Sequence, residues 1–108
     1  MSKLYAFEIG QLVQHRRYGY RGVVASRDPE CRASKSWYQN NQSQPERAQP
    51  WYHVLVHGSD HTTYAAETSL EEELGGEQVV HPLAKLIFES FHGGQYTIRE
   101  GIRFPDFP

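Results

Sequence analysis

Apolar and polar positions alternate most sharply over Gln49-Pro50-Trp51-Tyr52-His53-Val54-Leu55-Val56-His57. Tyr52, Val54 and Val56 fall on one side, and Trp51, His53, Leu55 and His57 on the other, the period of two that marks a strand. Both sides carry large side chains, which predicts a central strand covered on two faces. Pro50 has no N–H and suits the first residue of a strand, and Gly58-Ser59-Asp60 supplies turn chemistry after it. Gln11-Leu12-Val13-Gln14-His15 alternates in the same way and predicts a first strand, led into by Phe7-Glu8-Ile9-Gly10. Arg16-Arg17-Tyr18-Gly19-Tyr20 reads as a hairpin turn, with Gly19 supplying the positive φ. The returning strand runs from Arg21 to Arg27, where Gly22 suggests a bulge or a close backbone approach, and Asp28-Pro29 ends it.

Beyond this hairpin the pattern changes. Glu30 to Trp37 predicts a short helix, and residues 38–49, rich in Asn, Gln, Ser and Pro, predict a long exposed loop of the kind that is often functional or disordered. His61 to Glu67 predicts a second hairpin partner, Glu71-Glu72-Glu73 a solvated surface, and Val79-Val80 a short closing strand. Pro82 at a first helical position, Leu83, Leu86, Ile87 and Phe91 on one face, and Gly93-Gly94 as a stop predict a helix over about 82–92. An extended tail over 93–108 follows, with Tyr96, Ile98, Ile102, Phe104 and Phe107 as anchors. The expected organisation is one domain over 1–108: mainly β, a small barrel over about 7–80, then helix and tail.

A chain of 108 residues is long enough to bury roughly 65% of its unfolded surface. Cys31 is the single cysteine, which excludes an internal disulfide and fits a reducing compartment. No segment approaches the ~20 apolar residues of a membrane span, so the expectation is a soluble cytoplasmic domain without membrane contact. Net charge is −2, but residues 1–35 hold seven Lys/Arg against three acids, and residues 36–108 four against ten. A local basic patch can bind phosphate even where the total charge cannot.

Candidate chemistry is sparse. His53, His57 and His61 are spaced by four, but on a strand His53 and His57 lie about 13 Å apart at ~3.3 Å per residue. That is too far for one zinc, whose nitrogen ligands sit ~2.0–2.1 Å from the metal. Cys31 has Arg27, Arg32 and Lys35 near it in sequence, but no oxyanion hole or nucleophile elbow accompanies it. Nothing calls for a cofactor or a metal. The hairpin tip is the better candidate: Arg16, Arg17 and Arg21 can meet phosphate oxygens while Tyr18 and Tyr20 stack or hydrogen-bond beside them. Trp37, in the insert, is a further stacking surface.

Two motifs together then point to a family. Ile9-Gly10-Gln11-Leu12-Val13-Gln14-His15, followed by Gly19-Tyr20-Arg21-Gly22-Val23-Val24 and Asp28-Pro29, resembles the opening of YccV-like domains. Gln49-Pro50-Trp51-Tyr52-His53-Val54-Leu55-Val56 is similar to that family's most characteristic stretch, and Thr63-Tyr64-Ala65-Ala66-Glu67 with Leu70 to its next strand. The resemblance covers about residues 7–72. It implies a small SH3-like β-barrel and a non-enzymatic role in binding hemimethylated DNA. The family also includes HspQ-like heat-shock proteins, which implies an alternative: an accessory or specificity factor for a Lon-type ATP-dependent protease or its substrates in the stress response. For that role an apolar patch of Trp37, Tyr38, Phe104 and Phe107 is the expected surface. The chain departs from the HspQ-like pattern beyond about residue 75. A spare sheet edge and an apolar tail are compatible with an oligomer.

Overall fold

The computed structural model describes residues 4–102. Five strands form one antiparallel sheet: β1 (Leu12–His15), β2 (Arg21–Asp28), β3 (Trp51–Val56), β4 (Thr62–Ala66) and β5 (Leu70–Glu72), in the order β4-β3-β2-β1-β5. The strand with the sharpest alternation, β3, lies inside the sheet between β2 and β4, with Val23 opposite Leu55 and Val54 opposite Thr63. Its first five residues are all buried. Gly19 holds φ +75° in the turn between β1 and β2, as a tight turn there needs. Gly22 lies so close to β3 that a Cβ there would collide with the Leu55 carbonyl and the Val54 side chain. The register slips not at Gly22 but beyond it, between Val24 and Ser26. Val24 lies on one face of the sheet, and Val23 and Ala25 on the other.

Alternation sorts the core onto two sides of the sheet. Val13, Val24, Tyr52, Val54, Ala65 and Leu70 pack together with Phe7. On the opposite side Leu12, Val23, Ala25 and Leu55 pack against Val79, Ile87, Phe88 and Tyr96 from the last third of the chain. Truncating a residue such as Leu55, which is fully buried, opens a cavity in the second of these clusters and costs about 2–5 kcal/mol.

That last third differs from the expected helix and extended tail. The helix over 82–92 is a single turn, α2 (Ala84–Ile87), and the chain then forms a two-stranded antiparallel sheet of β6 (Phe88–His92) and β7 (Gln95–Ile98). Gly93 and Gly94 both have positive φ, as a two-residue type I′ hairpin loop requires; they turn a hairpin and do not stop a helix. The helical face also fails in burial, since Leu86 is 64% exposed. Val79-Val80 forms no strand: Val79 is buried in the core while Val80 is exposed. The final hairpin is bound to the main sheet through Gly10, which donates to the Val24 carbonyl at 2.8 Å and accepts from the Tyr96 N–H at 2.9 Å. Residues 103–108, the end of the expected tail with Phe104 and Phe107, lie outside the described residues.

The insert between β2 and β3 is built up, not loose. Its helix is α1 (Lys35–Gln39), starting five residues later than the 30–37 expectation because Ser34 is the cap: its Oγ accepts the Trp37 N–H at 3.1 Å. Over 38–49 the Tyr38 hydroxyl lies 3.0 Å from the Gln44 carbonyl and 2.8 Å from that of Pro45. Arg47 donates to the Ala33 carbonyl at 2.7 Å and lies over the Tyr38 ring. The Trp51 indole N–H donates to the Glu46 carbonyl at 3.2 Å. These bonds hold the insert against β3 and β4, where Cys31 and Ala33 are buried with Trp51, Tyr64 and Ala66. No helix among the described residues is long and apolar enough to cross a membrane.

Candidate nucleic-acid interface

The hairpin tip is organised by His15, the last residue of β1. Its Nδ1 accepts the N–H of Arg17 at 3.1 Å and of Tyr18 at 3.0 Å. Gly19 closes the turn by donating to the His15 carbonyl at 2.9 Å. With Nδ1 occupied as an acceptor, the neutral ring carries its proton on Nε2. Burial first, and then the neighbouring Arg17 charge, hold this imidazole below its ordinary pKa. The ring stacks on Tyr18 with centroids 4.6 Å apart and leans on Tyr20 at 5.1 Å. Tyr20 in turn lies against β4, its hydroxyl 2.7 Å from Thr63 Oγ1, and burial, the largest influence, raises its pKa.

Arg16 and Arg17 stand at the exposed tip. The Arg17 guanidinium lies 5.6 Å from the centre of the Tyr18 ring. Arg16 donates through Nε to the Leu70 carbonyl at 3.1 Å and sits 3.6 Å from Glu71, an exposed pair worth at most about 1 kcal/mol. A phosphate can replace so weak a partner.

Arg21 does not join them. Its Nη2 and Nε lie 3.1 and 3.3 Å from Glu73 Oε2, and the same guanidinium donates to the carbonyls of Glu77 and Gln78. Arg21, expected in the tip cluster, braces segment 73–78 through these bonds. The acidic run, expected to be merely solvated, supplies the partners of both Arg16 and Arg21.

Trp37 reaches the same region from the insert. Its ring meets Trp51 edge-on at 6.2 Å and Tyr64 at 5.6 Å. Tyr64 is fixed by donating to Asp28 Oδ2 at 2.6 Å and accepting the Arg32 N–H at 3.0 Å, and its pKa is raised, first by burial and then by the Asp28 bond. Between the hairpin and the insert runs a groove of about 290 Å³, lined among others by His15, Tyr18, Tyr20, Trp37, Trp51 and Tyr64. Three of the six expected site residues thus share one concave surface, two flank it, and Arg21 lies elsewhere. His15, Trp51 and Tyr64 were not expected there. Trp51 and Tyr64 read as strand core, and only the register of β3 on β4 brings them beside Trp37.

The three histidines spaced by four are dispersed: His53 Nδ1 lies 2.6 Å from Ser26 Oγ, His57 Nδ1 accepts the Val80 N–H at 2.9 Å, and His61 lies beside Asp60. Trp37 and Tyr38, expected in an apolar protein-binding patch, pack edge-on to Trp51.

The sequence matches the family described as "Hemimethylated DNA-binding protein YccV like" over residues 5–95. The chain belongs to this family. It is also 33% identical over 105 residues to "F-box only protein 21" of Homo sapiens, Mus musculus and Pongo abelii. The aligned region covers 93% of this chain but only 17% of those relatives.

Proposed function

We propose that this domain binds DNA, with Arg16 and Arg17 holding phosphates and Tyr18, Tyr20 and Trp37 contacting bases or sugars. The observation that carries the reading is convergence: two exposed arginines stand beside a groove into which two separate segments bring three aromatic side chains. The family's description names hemimethylated DNA, and we extend that ligand to this chain. One methyl group is worth about 1 kcal/mol or less by burial, so preference for a hemimethylated site is about fivefold at most. Ala65 and Leu70, from the two edge strands, share one cluster, which supports closure into an SH3-like barrel. In this reading the protein is cytoplasmic and acts without a cofactor.

The test is binding of a labelled duplex by wild type and by the double variant Arg16→Glu, Arg17→Glu. The expected result is loss of binding, with the salt slope of any residual binding reduced by about 2. Unchanged affinity would place the interface elsewhere.

A second reading, an accessory factor for an ATP-dependent protease of the Lon type in the stress response, has one observation in its favour. A groove of about 620 Å³ lies between residues 78–82, α2 and β6, with Val79, Val80, Pro82, Phe88 and Phe91 along it, and Val80 is 68% exposed. Association with the purified protease that Val80→Asp abolishes, and that the arginine double variant leaves intact, would favour it. Absence of association would count against it.

A further inference from the structure

We infer that the groove between the hairpin and the insert seats a single unstacked nucleobase, so that the domain prefers single-stranded or locally opened DNA over intact duplex. This deepens the DNA reading and rests on it.

The lining chemistry selects the ligand. Among the described residues no Lys, Arg, Asp or Glu lines the groove, so a phosphate placed inside would lose its water without gaining a counter-charge. A flat, neutral ring system suits it better. Tyr18 and Trp37 line the groove from separate segments, and base–aromatic stacking is tolerant of sequence. The polar edge of a base has partners as well. The hydroxyls of Ser43 and Thr62, both in the lining, have no hydrogen-bond partner among the described residues. His15 contributes a donor: the turn consumes its Nδ1, leaving Nε2–H for an acceptor on the base.

Size and charge placement agree. About 290 Å³ is at the small end of the ~300–1,000 Å³ of small-ligand clefts. It has room for one ring system and none for a duplex. The cations stand outside, at Arg16 and Arg17 in the turn that carries Tyr18, where they can hold the phosphates on either side of the seated base. Unstacking a paired base costs energy that a single strand does not pay, which sets the preference.

The test is fluorescence anisotropy of the whole protein with three labelled ligands of equal length: a single strand, the same sugar-phosphate strand made abasic, and a duplex. The single strand should bind more tightly than both others. Tyr18→Ala should collapse the ratio of single-strand to abasic affinity, a loss of about 5- to 150-fold, while Tyr18→Phe, which keeps the ring, should preserve it. Tyr18 is 52% exposed, so the substitution leaves the core intact. Equal binding of single and abasic strands, or a ratio unmoved by Tyr18→Ala, overturns the base seat. Binding of a labelled proline-rich peptide and of none of the strands would overturn it in favour of a peptide groove. Tight duplex binding without single-strand preference removes only the base seat, whereas failure to bind any of the three removes the DNA reading with it.

Discussion

Arg21 Nη2 lies 3.1 Å from Glu73 Oε2, and the two side chains are only 23% and 12% exposed. With the Glu77 and Gln78 carbonyls, this pair fastens the segment between β5 and α2 across β2. An enclosed arginine of the basic N-terminal third is therefore committed to the fold. Arg21→Ala should cost about 2–3 kcal/mol of unfolding free energy, since it leaves Glu73 without its partner. It should leave the salt slope of DNA binding unchanged. Urea unfolding together with binding at several salt concentrations checks both halves; a stable variant with a reduced slope would return Arg21 to the interface.

The hairpin is joined to β4 by the bond between Tyr20 Oη and Thr63 Oγ1 at 2.7 Å. Tyr20→Phe removes that bond and leaves the aromatic ring in place. A net loss of about 1 kcal/mol is expected, read as a fall in Tm of roughly 4–8 °C. A larger fall would mean that the bond positions more than the two side chains it joins.

Gly10 and Gly58 separate two effects of adding a methyl group. Both have positive φ, but a Cβ at Gly10 would strike the Tyr96 carbonyl, while nothing lies within 4 Å of one at Gly58. Gly58→Ala should cost only the left-handed conformation, about 1–2 kcal/mol. Gly10→Ala should cost clearly more, because the β6–β7 hairpin must move off the sheet. Similar thermal midpoints for the two variants would show that this hairpin is loosely held.

Acid should loosen the hairpin tip. His15 has its pKa lowered in the folded state, by burial and then by Arg17, so the unfolded chain takes up the proton more readily. By linkage, stability is fully present above the unfolded value near 6.5 and is lost as pH falls through the folded value. Protonation also removes the Nδ1 acceptor of the Arg17 and Tyr18 N–H groups. Unfolding free energy measured between about pH 7.5 and 5 should fall more steeply in wild type than in His15→Gln. Parallel curves would contradict this.

The strands were legible where one chemical period dominates. Trp51–Val56 and Leu12–His15 alternate so strongly that packing had only to confirm a local preference. The last third was misread because its spacing satisfies two patterns. Leu83, Ile87 and Phe91 keep helical spacing, yet Phe88, Phe91, Tyr96 and Ile98 are also aromatic or β-branched residues on either side of Gly93-Gly94. Gly-Gly stops a helix or turns a hairpin, and the tertiary contact of Tyr96 with Gly10 decided for the hairpin. At the site, Tyr18, Tyr20 and Trp37 were recognisable by type. The partner of Arg21 was not, because Glu73 lies 52 residues away in sequence and charge composition carries no pairing. The groove's far wall needed the register of Trp51 on Ala66, which sequence periodicity leaves undetermined.

The central claim, that the hairpin and groove bind DNA, is tested most directly by fluorescence anisotropy of the purified protein with otherwise identical unmethylated, hemimethylated and fully methylated duplexes at two salt concentrations. Binding should weaken as salt rises, with at most about a fivefold preference for the hemimethylated duplex. Absence of binding to all three and to the corresponding single strand, or binding indifferent to salt, would contradict it.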